Sequence, residues 1–141
     1  MIIGQIRDGI VLDHITAGKG MDIYRILGLD KLECTVAMIK NADSVKMGKK
    51  DIIKIGEVID IDFTVLGFID PGITVNIIRN GERVKREHLS LPETVKNIIR
   101  CKNPRCITVA EEQLDAIFLL HDAEKHTYHC AYCDVVKERS L

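Results

Sequence analysis

The chain has 141 residues, 46% hydrophobic and 29% charged, which fits one medium domain or two small ones and excludes a disordered tail or a coiled coil. Twenty basic and 21 acidic residues leave a net charge of −1, and aromatics make up only 4%, so neither phosphate neutralisation nor base stacking has much to draw on. No apolar run approaches the roughly 20 residues of a membrane span, and the N-terminus has no signal-peptide core; the reading is a soluble, cytoplasmic protein.

Ile2 to Arg7 reads as a strand, and Gly9 to His14 as its continuation or a second short one. Gly18-Lys19-Gly20 breaks the chain. Met21 to Leu29 fits a helix with Ile23, Ile26 and Leu27 on one stripe and Gly28 near its end. Leu32 to Ile39 alternates as a strand, with Leu32, Cys34, Val36 and Met38 on one face. The polar stretch Lys40 to Lys49 reads as a loop, and Lys50 to Ile61 as the next strand. Asp62 to Asp70 favours strand by propensity, but Phe63, Leu66 and Ile69 fit a helical stripe. A helix is preferred, because strands flank it and a βαβ crossover needs one. Ile73 to Ile78 is a strand, and Asn80-Gly81 signals a hairpin into Glu82 to Leu89. The order βαββαβ implies an α+β unit, an open sheet with helices on one face.

The second part starts near Ser90-Leu91-Pro92-Glu93, giving units 1–92 and 93–141. Short strands are expected at Val95 to Arg100, Cys106 to Val109, Ala116 to His121, Thr127 to Cys130 and Val135 to Lys137: a small all-β unit. A unit this small needs a staple. Cys101-x4-Cys106 and Cys130-x2-Cys133, 23 residues apart, supply four thiolates able to converge on one metal. Zinc is the expected ion, structural because the four sulfurs fill its shell; a rubredoxin-type iron centre is the alternative. Four ordinary buried cysteines do not explain the paired spacing. His126 and His129 are potential competing ligands. From Thr94 onward there are seven basic and seven acidic residues, a balance better suited to meeting a protein than a nucleic acid.

In the first part, Asp13-His14 has the chemistry to meet a base, a ribose or a phosphate. On its own it reads rather as a turn Asp with an incidental His. Lys50 and Lys54 share a strand face and fit an anion site and a lysine-guarded edge strand equally well. Lys46, Lys49 and Val84-Lys85-Arg86 add basic residues nearby. No Walker or GxGxxG motif is present, so any nucleotide site is of a non-standard kind. Cys34 reads as a core residue.

Together these segments resemble the regulatory chain of aspartate carbamoyltransferase. The residues that carry the resemblance are Val11-Leu12-Asp13-His14-Ile15, Met47-Gly48-Lys49-Lys50-Asp51-Ile52-Ile53-Lys54-Ile55, Thr74-Val75-Asn76 and Leu91-Pro92-Glu93. Cys101 to Ile107, with Asn103-Pro104-Arg105 inside it, and Cys130-Ala131-Tyr132-Cys133 complete the set. The resemblance implies a non-catalytic subunit with a ferredoxin-like N-terminal domain that binds CTP and UTP as inhibitors and ATP as activator. It implies a C-terminal zinc domain docked on the catalytic chain. It also implies regulatory homodimers that join catalytic trimers at the first committed step of pyrimidine synthesis. By position it assigns Ile6, Val11, Asp13 and His14 to base and ribose, Lys50 and Lys54 to ribose and phosphates, and Asn76 to the same site. Arg86, with Lys85 beside it, falls where the family often has a lysine. Gly81 and Arg83 replace larger or apolar residues of the family, and the segment before the first strand is short. The competing readings are a zinc-ribbon nucleic-acid or protein binder, and an enzyme built on Asp13 and His14; the latter has neither a nucleophile nor an open metal position beside it.

Overall fold

A computed structural model describes residues 7–111 and 113–138. Most of the expected first strand, and with it Ile6, lies outside the described residues.

Among the described residues the first sheet has five strands: β1 (Gly9–Thr16), β2 (Val36–Ser44), β3 (Gly48–Ile55), β4 (Thr74–Arg79) and β5 (Glu82–His88), in the order β2-β3-β1-β4-β5. Every neighbouring pair is antiparallel. Two helices, α1 (Gly20–Ile26) and α2 (Phe63–Ile69), connect β1 to β2 and β3 to β4. The βαββαβ order and the ferredoxin-like sheet are therefore present, with the Asn80-Gly81 hairpin adding β5. Asn80 (φ 53°) and Gly81 (φ 78°) both take the left-handed conformation that such a tight turn requires.

Strand alternation sends Ile10, Leu12, Ile53, Ile55 and Val75 to one face, where Ile23 of α1 and Leu66 and Ile69 of α2 cover them. Among the described residues no helix lies on the opposite face. Asp62 caps α2, its carboxylate accepting from the amides of Thr64 (3.0 Å) and Val65 (3.2 Å), which starts a helix that propensity alone did not favour.

Several boundaries differ from the sequence expectation. Lys40 to Lys49 is mostly strand: β2 runs on to Ser44 and β3 begins at Gly48. An edge strand tolerates polar side chains, and a bulge at Asn41 (φ 56°) keeps the pairing intact. β2 starts at Val36 rather than Leu32, and β3 stops at Ile55, after which the Gly56 amide turns to donate to the Thr35 carbonyl at 2.7 Å. Helix α1 ends at Ile26; Gly28 (φ 66°) breaks it, and a 3₁₀ turn occupies Leu29–Lys31.

The second sheet orders β6 (Thr94–Lys96), β7 (Ile117–Asp122), β8 (Thr127–Cys130) and β9 (Val136–Glu138) sequentially and antiparallel. β6 is shorter than expected because Asn97 (φ 57°) leaves the extended region. Cys106 to Val109 is no strand: Ile107–Ala110 forms a single helical turn, α3, against the strand preference of β-branched Ile107, Thr108 and Val109. The core here gathers Val95, Ile99, Phe118 and Tyr128 with three of the cysteines, and it takes in Phe68 from α2 of the first sheet. Beside Phe68, Gly67 packs against the Ser90 carbonyl so closely that a Cβ would collide with it. Among the described residues no helix is long and apolar enough to cross a membrane.

Candidate metal centre and the open face of the first sheet

Cys101 and Cys106 flank the loop before α3, while Cys130 ends β8 and Cys133 lies in the turn after it. Their four sulfurs lie within 4.8 Å of one another. Cys101 Sγ stands 3.6 Å from Cys133 Sγ, and Cys106 Sγ 3.7 Å from Cys130 Sγ. These separations are far beyond a disulfide bond. They match the edge of about 3.8 Å that a tetrahedron with metal–sulfur bonds of about 2.3 Å would have. The donor set therefore fits a tetrahedral thiolate metal. His126 and His129 are not in the cluster; His129 instead meets His121 edge-on, ring centroids 5.7 Å apart.

Backbone and side-chain donors surround the sulfurs. The Thr108 hydroxyl and amide hold the Cys106 thiol down to about 7 against the effect of burial. Burial pushes Cys101 up to about 12, although the Asn103 amide opposes it. The Val135 amide lowers Cys133, and burial raises Cys130. A cation at the centre would favour all four thiolates.

The helix-free face of the first sheet carries the other candidate residues. Lys54, Val11, Asn76 and Arg86 are successive register partners across β3, β1, β4 and β5, one continuous row. In the adjoining row Asp13 pairs with Thr74 and Thr74 with His88. Lys85 pairs with Ile77, which packs on the core side.

The β1–β3 register shifts between Leu12 and Ile15, and His14 sits in that bulge with φ 59°. Its Nδ1 lies 3.2 Å from Thr74 Oγ1. Lys50 Nζ donates to Asp13 at 2.9 Å. Burial raises the Asp13 carboxyl, but the Lys50 hydrogen bond and the His14 amide together bring it below its usual range. Asn76 Nδ2 lies 3.5 Å from the Val11 carbonyl, while its Oδ1 is buried with no hydrogen-bond partner among the described residues.

The structure adds Asp51 and Asp70, to which the sequence reading gave no role. Asp51 is fully buried; its Oδ2 accepts from the Gly18 (3.1 Å) and Gly20 (3.0 Å) amides and its Oδ1 from the Asn41 amide (3.0 Å). A Cβ on residue 20 would lie 2.8 Å from that Oδ2, so any side chain there would push the carboxylate off the amides it holds. Asp70 accepts from Thr16 (2.7 Å) and Gly72 (3.2 Å). The two carboxylates fix the chain leaving β1 just beyond Asp13 and His14. For Asp51, set between Lys50 and Ile52, the sequence offered no local signal.

An antiparallel sheet backed by two helices, joined to a small module with four clustered cysteines, defines a two-part chain. Two family models match it: the aspartate carbamoyltransferase regulatory chain allosteric domain over residues 1–90 and the metal binding domain of the same chain over residues 93–140. An aspartate carbamoyltransferase regulatory chain of Clostridium tetani is 52% identical over 137 residues, covering 96% of this chain and 95% of the relative. One from Clostridium botulinum is 49% identical over 136 residues, covering 96% and 93%. One from Bifidobacterium longum is 41% identical over 134 residues, covering 95% and 96%. The chain belongs to the aspartate carbamoyltransferase regulatory chain family, a family of non-catalytic subunits.

Proposed function

We propose that residues 1–92 form an allosteric domain binding CTP, UTP and ATP on the open face of the first sheet. Residues 93–141 hold one structural zinc ion and dock on the catalytic chain of aspartate carbamoyltransferase. Regulatory chains pair as homodimers, and nucleotide binding adjusts carbamoyl transfer in the first committed step of pyrimidine synthesis, in the cytoplasm. Asp13 and His14, with Val11 and Ile6, face base and ribose; Lys50, Lys54 and Arg86 meet ribose and phosphates. A triphosphate calls for several cations on one surface, and a base amino group calls for acceptors beside them. Four Cys thiolates in tetrahedral reach suit zinc, which has no redox chemistry to perform in a regulatory subunit.

The observation that carries this reading is Asn76 Oδ1, a buried acceptor without a partner among the described residues, in the same row as Lys54, Val11 and Arg86. Such an atom is costly unless something donates to it. Calorimetric titration of the full chain with CTP, UTP and ATP tests it. The wild type binds, and Asn76→Ala weakens binding by about tenfold, as loss of about 1–1.5 kcal/mol requires. No heat with any of the three on the wild type overturns the reading.

A further inference from the structure

Cys106 differs from the other three cysteines in what reaches its sulfur. Cys101 receives the Asn103 amide, Cys130 the amides of Tyr132 and Cys133, and Cys133 the Val135 amide and the Asn103 side chain, none of them a hydroxyl. Cys106 receives the Thr108 amide and also a hydroxyl: Thr108 Oγ1 lies 3.0 Å from Cys106 Sγ. Both residues are buried, Thr108 at 3% and Cys106 at 2% exposure. A metal-bound thiolate has no proton to give, so across this contact the hydroxyl must be the donor. Thr108 is placed for this by α3, the turn that replaces the expected strand. In an extended chain, residue 108 would still lie on the side of Cys106 but two residues farther along; the helical turn folds it back over the sulfur. The same side chain lines an open cavity of about 370 Å³ with Arg100, Cys101 and Val109.

We propose that Thr108 is a positioning residue for the metal: its hydroxyl donates to the Cys106 thiolate, fixing that ligand and tempering its electron donation. The inference rests on the metal-centre reading above and adds a role to a residue outside the four ligands. Partners that orient a ligand typically govern metal affinity by about ten- to a hundredfold. Valine fits the same volume but cannot donate, and serine keeps the donor while losing a methyl group.

The test uses the full chain as wild type, Thr108→Val and Thr108→Ser, each loaded with zinc or with cobalt(II). Zinc affinity is read by chelator competition, and the cobalt form by its sulfur-to-metal charge-transfer band. Thr108→Val is expected to bind zinc about ten- to a hundredfold more weakly and to move the band to longer wavelength, because an unbonded thiolate gives up electron density more readily. Thr108→Ser is expected to keep the wild-type band and most of the affinity. Equal affinity and an unchanged band in Thr108→Val overturn the proposal. So does a Thr108→Ser chain that falls as far as Thr108→Val, since that marks packing rather than donation. If Thr108→Val does not fold, Thr108→Ala against Thr108→Ser makes the same comparison. A wild-type chain that takes up neither metal overturns the metal reading itself, and this proposal with it.

Discussion

The Phe68 ring lies 5.2 Å from the Tyr128 ring, tilted by 59°. Phe68 belongs to α2, whose buried Leu66 and Ile69 serve the first sheet, yet its own ring joins the core of the second. Tyr128 in turn donates its hydroxyl to the Pro92 carbonyl at 2.7 Å, tying the second sheet to the connecting segment. One aromatic pair thus joins the two halves.

Phe68→Ala should cost about 3–5 kcal/mol, the usual range for truncating a buried phenylalanine. The loss should fall on the second core and on the joint. Calorimetric melting of the full chain is expected to change from one cooperative transition to two, with the metal module melting first. A single transition at an unchanged temperature would show that the joint carries no stability.

Removing the metal should release the second sheet and spare the first. Metal–thiolate binding in small modules is worth about 10–16 kcal/mol, more than the few large side chains of the second core can replace. Mercurial titration followed by hydrogen exchange reads this directly. Amides of β7 and β8 should lose protection while those of β1 and β3 keep it.

Asp13 should make the first sheet sensitive to acid. Its carboxyl is held below its ordinary value of 3.8, so the unfolded chain binds more protons in the interval below that value. The stabilisation is complete above about pH 4 and fades as pH falls through the folded pKa. Urea midpoints of wild type and Asp13→Asn should therefore differ at neutral pH, with the variant less stable, and converge in strong acid. Parallel curves at all pH values would contradict the assignment to the Lys50 contact.

Asp51→Asn separates the two oxygens of a buried carboxylate. An amide must place its oxygen toward one side only, and the Gly18 and Gly20 amides together outweigh the Asn41 amide. The cost should be about 1–3 kcal/mol, that of one buried donor left unpaired. Hydrogen exchange should accelerate at Asn41 while Gly18 and Gly20 stay protected. Equal acceleration at all three would mean that the whole loop has been lost.

Lys54→Ala removes a cation from the row shared with Val11, Asn76 and Arg86. If it meets the ligand, nucleotide affinity should fall roughly ten- to a hundredfold, the equivalent of about 1.5–3 kcal/mol. Metal content should not change, since the four sulfurs lie with the other sheet. Titration with CTP and ATP beside a metal assay checks both.

Much of this was legible in the sequence. The paired cysteine spacings announced the metal cluster, and the strand periodicity with Asn80-Gly81 announced the first sheet. The rest depended on long-range partners. Whether Lys40 to Asp43 was loop or edge strand turned on β3 lying beside it, a contact that a local window cannot contain. Thr108 looked like part of a β-branched run because its reach to the Cys106 sulfur exists only once α3 turns. Asp51 looked like one more surface acid in a lysine-rich stretch; the amides it holds are 10 to 33 residues away.

Gly67 offers a handle on the joint that neither core provides. Any side chain there would press on the Ser90 carbonyl, acting as a wedge between α2 and the connecting segment while leaving the metal cluster and the open sheet face untouched. A graded series, from alanine through valine to leucine, would pry the two halves apart by increasing amounts. It would turn the angle between them from a fixed property of the fold into an adjustable variable, against which any communication across the chain can be measured.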